Sequence, residues 1–128
     1  MKKTINYTVG KLDLELRMDG ESVRKIEKSL GHSLKTLMVE FVQDGEDTKV
    51  KVVIPTINKM LLVLFGANKK SGVTLNKLLK EFDEAYDKEE ISDDDIFKVV
   101  QDLMNDMGFS KKDKALEEEV EVTAEELI

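Results

Sequence analysis

Ile5-Asn6-Tyr7-Thr8-Val9-Gly10-Lys11-Leu12-Asp13-Leu14-Glu15-Leu16 alternates apolar and polar residues on both sides of Gly10-Lys11. Ile5, Tyr7 and Val9 share one parity, and Leu12, Leu14 and Leu16 share another. Period 2 is the strand period, and a two-residue loop led by glycine fits a type II′ turn, whose first position needs positive φ. The segment therefore predicts an N-terminal β-hairpin. A lone hairpin is only marginally stable, so its apolar face must lie on helices. That requirement sets the fold class as α+β rather than all-α.

Helical patterns follow. Val23, Ile26 and Leu30 recur at helical spacing over 21–30, and Gly31 supplies a C-terminal stop. Ser33 is placed to cap a helix over 33–43, where Leu34, Leu37, Met38, Val39, Phe41 and Val42 cover an arc of roughly 200°. Asp44-Gly45-Glu46-Asp47 reads as a polar loop. Val50, Val52 and Ile54 then alternate with Lys49 and Lys51, so 48–54 reads as a third strand or an extended approach. Pro55 suits the first turn of a helix over 56–67 that is apolar nearly all round and so should be central. Thr74 caps a one-sided helix over 75–87. Ser92, followed by Asp93, Asp94 and Asp95, caps the last one, to Met107. Gly108-Phe109 reads as its stop.

The expectation is an α+β fold with an N-terminal hairpin, 48–54 as an additional strand, and about five α-helices. Residues 1–109 form one domain, and 110–128 form an acidic tail expected to be disordered or weakly helical. The predicted core is Leu14, Leu16, Ile26, Leu30, Leu37, Phe41, Ile57, Leu61, Leu64, Leu78, Phe82, Val99 and Leu103.

Composition narrows the function. The 128 residues contain no cysteine, which removes thiol catalysis, disulfides and thiolate metal sites. Twenty basic against 27 acidic residues give a net charge of −7, and the basic residues do not cluster, so no nucleic-acid partner is expected. Lys2-Lys3 has no apolar run behind it and reads as no secretory signal. The strongest apolar run, Met60-Leu61-Leu62-Val63-Leu64-Phe65, is far short of the roughly 20 residues a bilayer demands. A soluble chain without a membrane partner, in the cytoplasm, is expected.

Candidate chemistry fails on spacing. His32, the one histidine, lies between Gly31 and Ser33 without a nucleophile elbow, and reads as an exposed turn residue. The acidic stretch 81–95 suggests a calcium loop, but it places Ala85 at ligand position 3 and Lys88 at the glycine position 6 when started from Asp83, and Ile91 at ligand position 5 and Ser92 at the glycine position when started from Asp87. Gly66-Ala67-Asn68-Lys69-Lys70-Ser71-Gly72 has Lys-Ser before its second glycine, the reverse of a phosphate loop. Glu89-Glu90 falls in a charged run and reads as solvated surface. No catalytic residue, cofactor site or metal site is expected, and the chain reads as a non-enzyme.

Two helical arcs exceed what one core face needs. Val39 and Val42 edge one; Phe97 and Met104 edge the other. These four are the candidate partner-binding residues, methionine being adaptable at such surfaces.

Asp19-Gly20 is followed by Val23-x-x-Ile26-Glu27-x-x-x-Gly31-x-Ser33-Leu34, an apolar helix ending in Leu64-Phe65-Gly66, Gly72-Val73-Thr74-Leu75 opening the next helix, and a last helix before a charged tail. This order, behind an N-terminal strand pair, resembles the small tail assembly chaperones of long-tailed bacteriophages and related tail proteins of gene-transfer-agent clusters. The stretch 50–54 departs from it. The resemblance implies binding of the tape-measure protein, a long aggregation-prone helical chain, before the tail tube polymerises, in the cytoplasm of the bacterial host. A homo-oligomer and contact with the tail tube protein are compatible with it. The alternatives are a structural tail component, such as a tube or connector protein, and a small non-phage adaptor domain.

Overall fold

The computed structural model describes residues 3–107. Strands β1 (Ile5–Val9) and β2 (Leu12–Leu16) precede helix α1 (Gly20–Leu30), and a single 3-10 turn spans Leu34–Thr36. Strands β3 (Val39–Asp44) and β4 (Asp47–Val52) lead to helices α2 (Ile57–Ala67), α3 (Leu75–Asp87) and α4 (Asp93–Asp106). The fold is α+β: two separate antiparallel hairpins and four α-helices, not five.

The β1–β2 register pairs Val9 with Leu12 and Ile5 with Leu16 around Gly10-Lys11. Gly10 has φ +60°, and a Cβ there would stand 3.0 Å from the Glu81 carbonyl of α3. Two independent demands therefore fall on this glycine: the turn and the close approach of a helix. Glu81 also accepts from the Lys11 backbone N–H at 2.8 Å, fastening the loop to α3. The far edge of β2 is covered by chain leaving α2. Arg17 N–H donates to the Ala67 carbonyl (2.9 Å) and Lys69 N–H to the Glu15 carbonyl (2.7 Å), while the Asn68 side chain accepts from Glu15 N–H (3.1 Å).

Helix α2 is the centre, packing against α1, α3 and α4. Met60, Leu61, Val63, Leu64, Gly66 and Ala67 are all buried. Of the predicted core, Leu14, Leu16, Ile26, Leu37, Leu61, Leu64, Leu78, Phe82, Val99 and Leu103 are buried, and Leu30 and Ile57 are partly so. Phe41 is not: it is exposed, because the helix expected over 33–43 does not form. Ser33 caps only the 3-10 turn, accepting from Lys35 N–H, and the chain then extends into β3. The additional strand expected over 48–54 exists as β4, and its pairing partner is the segment expected to be helical.

Helix ends follow their capping residues. Thr56 and Thr74 accept from Lys59 and Lys77 N–H, and Ser92 with Asp95 forms a reciprocal capping box. Asp19 caps α1, accepting from Ser22 N–H at 2.9 Å, and Lys69 Nζ lies 2.9 Å from the same carboxylate. The Lys69 ammonium, and then the Ser22 N–H, hold the Asp19 carboxyl below the usual carboxylate range. A depressed folded-state pKa gives stability that is present above the ordinary Asp value of about 3.9 and lost as pH falls below it. Asp19→Ala is expected to destabilise by about 1–2 kcal/mol at neutral pH. Asp19→Asn, which keeps a cap but no charge, should flatten the acid limb of a stability–pH curve; an unchanged acid limb would contradict the assignment.

Helix α3 ends with Glu89 at φ +60°, its N–H donating to the Tyr86 carbonyl and Glu90 N–H to the Ala85 carbonyl. This is a Schellman stop with glutamate where glycine is usual. Left-handed backbone strains a residue with a Cβ, so Glu89→Gly is expected to stabilise by about 0.5–1 kcal/mol, read as a raised urea midpoint at constant slope. The stop expected at Gly108-Phe109 and the tail 110–128 lie outside the described residues.

Candidate functional site

The β3–β4 hairpin closes on Gly45-Glu46, with Gly45 at φ +65°. This is the same glycine-first loop as Gly10-Lys11. Its register pairs Val39 with Val52, Phe41 with Val50 and Gln43 with Thr48 on one face, and Glu40 with Lys51, Val42 with Lys49 and Asp44 with Asp47 on the other. With the loop closed at Asp44–Asp47, Phe41–Val50 and Val39–Val52 are the non-hydrogen-bonded pairs. Side chains sit closest at such pairs, and an aromatic against a β-branched residue is a favourable combination. Val53 N–H donates to the Met38 carbonyl at 2.8 Å, extending the ladder, and Ile54 continues the parity of Val52.

One face is thus apolar and the other charged. The charged face carries the Asp44–Lys49 ion pair at 2.6 Å, which holds the Asp44 carboxyl low and the Lys49 ammonium high. Both groups stand in solvent, so the pair orders the hairpin more than it stabilises it. Among the described residues the apolar face is left largely open. Phe41 is 57% exposed, Val52 64% and Ile54 65%, in a chain whose other large apolar side chains are mostly buried. Large side chains left open on a two-stranded sheet form the most conspicuous surface of the described residues.

The four sequence-predicted contact residues fall elsewhere. Val39 and Val42 do not share an edge: three residues apart on a helix they would, but in a strand their opposite parity sends them to opposite faces. Val39 is half-buried on the apolar face, and Val42 is exposed on the charged one. Met104 is 8% exposed and belongs to the core, while Phe97 is partly buried against it. The broad arc of α4 serves the protein's own interior. The side chains that stay open instead are Phe41, Val52 and Ile54, and the signal for their hairpin was a second glycine-first loop between β-branched runs.

The remaining candidates are structural. His32 is half-buried rather than exposed. Its Nδ1 lies 2.9 Å from the Ser33 carbonyl and 3.1 Å from Thr36 Oγ1, whose own proton goes to that carbonyl, so Nδ1 carries the hydrogen. The Ser33 hydroxyl accepts from Lys35 N–H and is not aligned as a nucleophile by His32. Between α3 and α4 a shallow concavity is lined by Tyr86, Asp87, Glu89, Glu90, Asp93 and Asp95. Asp95 is committed to capping Ser92, and Asp93 accepts from Asp94 N–H. Among the described residues no group of three His, Cys, Asp or Glu side chains is placed to hold a metal ion. Tyr7 has its phenol pKa pushed up by burial and by Asp95. Among the described residues no helix is long and apolar enough to cross a membrane.

The described residues form an α+β fold, and the second hairpin's apolar face is the most open apolar surface among them. The chain belongs to a family of unknown function, DUF6096, which it matches over residues 1–128. No curated protein and no solved structure matches it.

Proposed function

We propose that this protein is a tail assembly chaperone of a long-tailed bacteriophage, holding the tape-measure protein in the cytoplasm of the bacterial host until the tail tube polymerises. The observation that carries the reading is the open apolar face of Phe41, Val52 and Ile54, beside half-buried Val50, on a chain of net charge −7. A holdase works by covering the apolar stripe of a client helix while its own charge keeps the complex dispersed. The element order that resembles such chaperones supports the same reading: strand pair, α1 stopped at Gly31, an apolar α2 ending in Leu64-Phe65-Gly66, and α3 opened by Thr74.

The test is co-expression with the tape-measure protein of the same gene cluster. The expected result is a soluble tape measure that co-purifies with the wild-type chain and is lost with Phe41→Ser/Val52→Thr. A tape measure that stays insoluble and does not co-purify overturns the proposal. Mass spectrometry of purified particles distinguishes the structural alternative: a chaperone is missing from them, whereas a tube or connector component is present in stoichiometric amount.

A further inference from the structure

We propose that residues 119–122 of this chain pair along the outer edge of β4 as a third strand of the second sheet. The pairing uses the edge of the hairpin and not its face, and it is independent of any client. Three features of the chain favour it.

The first is the edge itself. In the β3–β4 register Thr48, Val50 and Val52 fall in non-hydrogen-bonded pairs, so their backbone N–H and C=O groups point away from β3. Among the described residues no backbone group bonds to them there. The far edge of β2, by contrast, is closed by the chain around Asn68. A strand edge with unpaired groups is a template for one more strand.

The second is pattern. Strand β4 contains Lys49-Val50-Lys51-Val52, and the chain beyond α4 contains Glu119-Val120-Glu121-Val122. Successive side chains of a strand alternate between its two faces. Laid beside β4 with its valines on the apolar face, the acidic segment puts Val120 and Val122 next to Val50 and Val52, and Glu119 and Glu121 next to Lys49 and Lys51. An arbitrary apolar partner satisfies only half of that match. Lys51 is exposed and has no ion pair among the described residues, while Lys49 has one, to Asp44. Other strands fit less well. On its charged face β3 carries Glu40 and Asp44, which repel glutamates, and at the polar positions of β1 stand Asn6 and Thr8, without positive charge.

The third is reach. The linker 108–119 spans roughly 40 Å when extended. A compact body of 100 residues has a radius of gyration of only about 13 Å. Because the strand is tethered, its local concentration is on the order of millimolar, and a short pairing needs no large buried area to form. Main-chain hydrogen bonds supply the attraction, and the alternating side chains supply the register. The added strand lies beside the face and not over it. Phe41 and Ile54 stay open, and Val120 and Val122 widen the apolar strip.

Hydrogen exchange of the full chain, followed by NMR, reads this edge directly. The Val50 and Val52 amides are expected to exchange at least tenfold more slowly than unprotected amides. That protection should vanish in Val120→Pro/Val122→Pro and in Glu119→Lys/Glu121→Lys. It should persist in Glu125→Lys/Glu126→Lys, which makes the same change of charge outside the strand. The Lys49 and Lys51 amides, bonded to β3, report in each variant that the hairpin persists. Unprotected Val50 and Val52 amides in the wild-type chain, protection that survives the proline pair, or equal effects of the two charge reversals overturns the inference. Protection that disappears on dilution would assign the strand to a second copy and overturns it likewise. None of these readings requires the tape-measure protein, so the pairing and the chaperone reading fail separately.

Discussion

Gly66→Ala is expected to destabilise the protein by about 2 kcal/mol, although alanine is the better helix former by about 1 kcal/mol. The reason is the α1–α2 contact. A Cβ on Gly66 would overlap Ile26 Cγ1 and stand 3.3 Å from its Cδ1 and 3.4 Å from its Cα. Ile26 is fully buried, so the crowding reaches its backbone and a rotamer change alone cannot relieve it. Overpacking at such a site costs roughly 1–3 kcal/mol, and here it outweighs propensity. The measurement is a urea midpoint at constant slope. Ile26→Ala alone should cost about 2–5 kcal/mol by cavity formation. Because the added methyl fills the space that Ile26 vacates, the double variant should lose less than the two single losses added, with a coupling of about 1 kcal/mol or more. Additive losses, or an alanine that stabilises, would show that α1 and α2 do not meet at Gly66.

The second large effect separates two phenylalanines that look alike in the sequence. Phe82 is 5% exposed, and its ring centroid lies 5.5 Å from that of Tyr86. Phe82→Ala is expected to cost about 3–5 kcal/mol. Phe41, at 57% exposed, has little to lose: Phe41→Ser at low protein concentration should change the unfolding free energy by no more than about 0.5 kcal/mol. Thermal or urea unfolding of the two variants side by side checks both. A comparable loss from each would mean that Phe41 is packed against its own chain.

The β1–β2 hairpin, the four α-helices and the caps at Thr74 and Ser92 were legible because each rests on a local signal with one interpretation. Leu12, Leu14 and Leu16 admit only period 2, and Gly31 only a helix stop. The stretch from Leu34 to Val42 admits two. Its apolar residues fit a helix, yet their arc of roughly 200° is wider than one buried face needs, which is the sign of a period imposed where it does not hold. Read at period 2, Val39 and Phe41 fall on one face, with Glu40 on the other. Gly45-Glu46 then repeats Gly10-Lys11. Local propensity could not choose between these, because β3 gains its hydrogen bonds only from β4.

The misassigned period carried the candidate site with it. Val42 moved to the charged face, and Phe41, expected in the core, became the centre of the open one. Met104 shows the other limit: an apolar arc on α4 reveals that a face is broad, but only the packing of α2 against it reveals that the breadth is used internally. The bridge from Asn68 to Leu16 was equally out of reach, since it joins residues 52 positions apart in the chain.

Carbene footprinting of the lone subunit at low concentration tests the central claim most directly. The account predicts that Phe41, Val52 and Ile54 label far more heavily than Phe82 and Leu64, which remain protected, and that labelling of the first three falls when the tape-measure protein is added. Protection of Phe41 equal to that of Phe82 in the dilute subunit would contradict it.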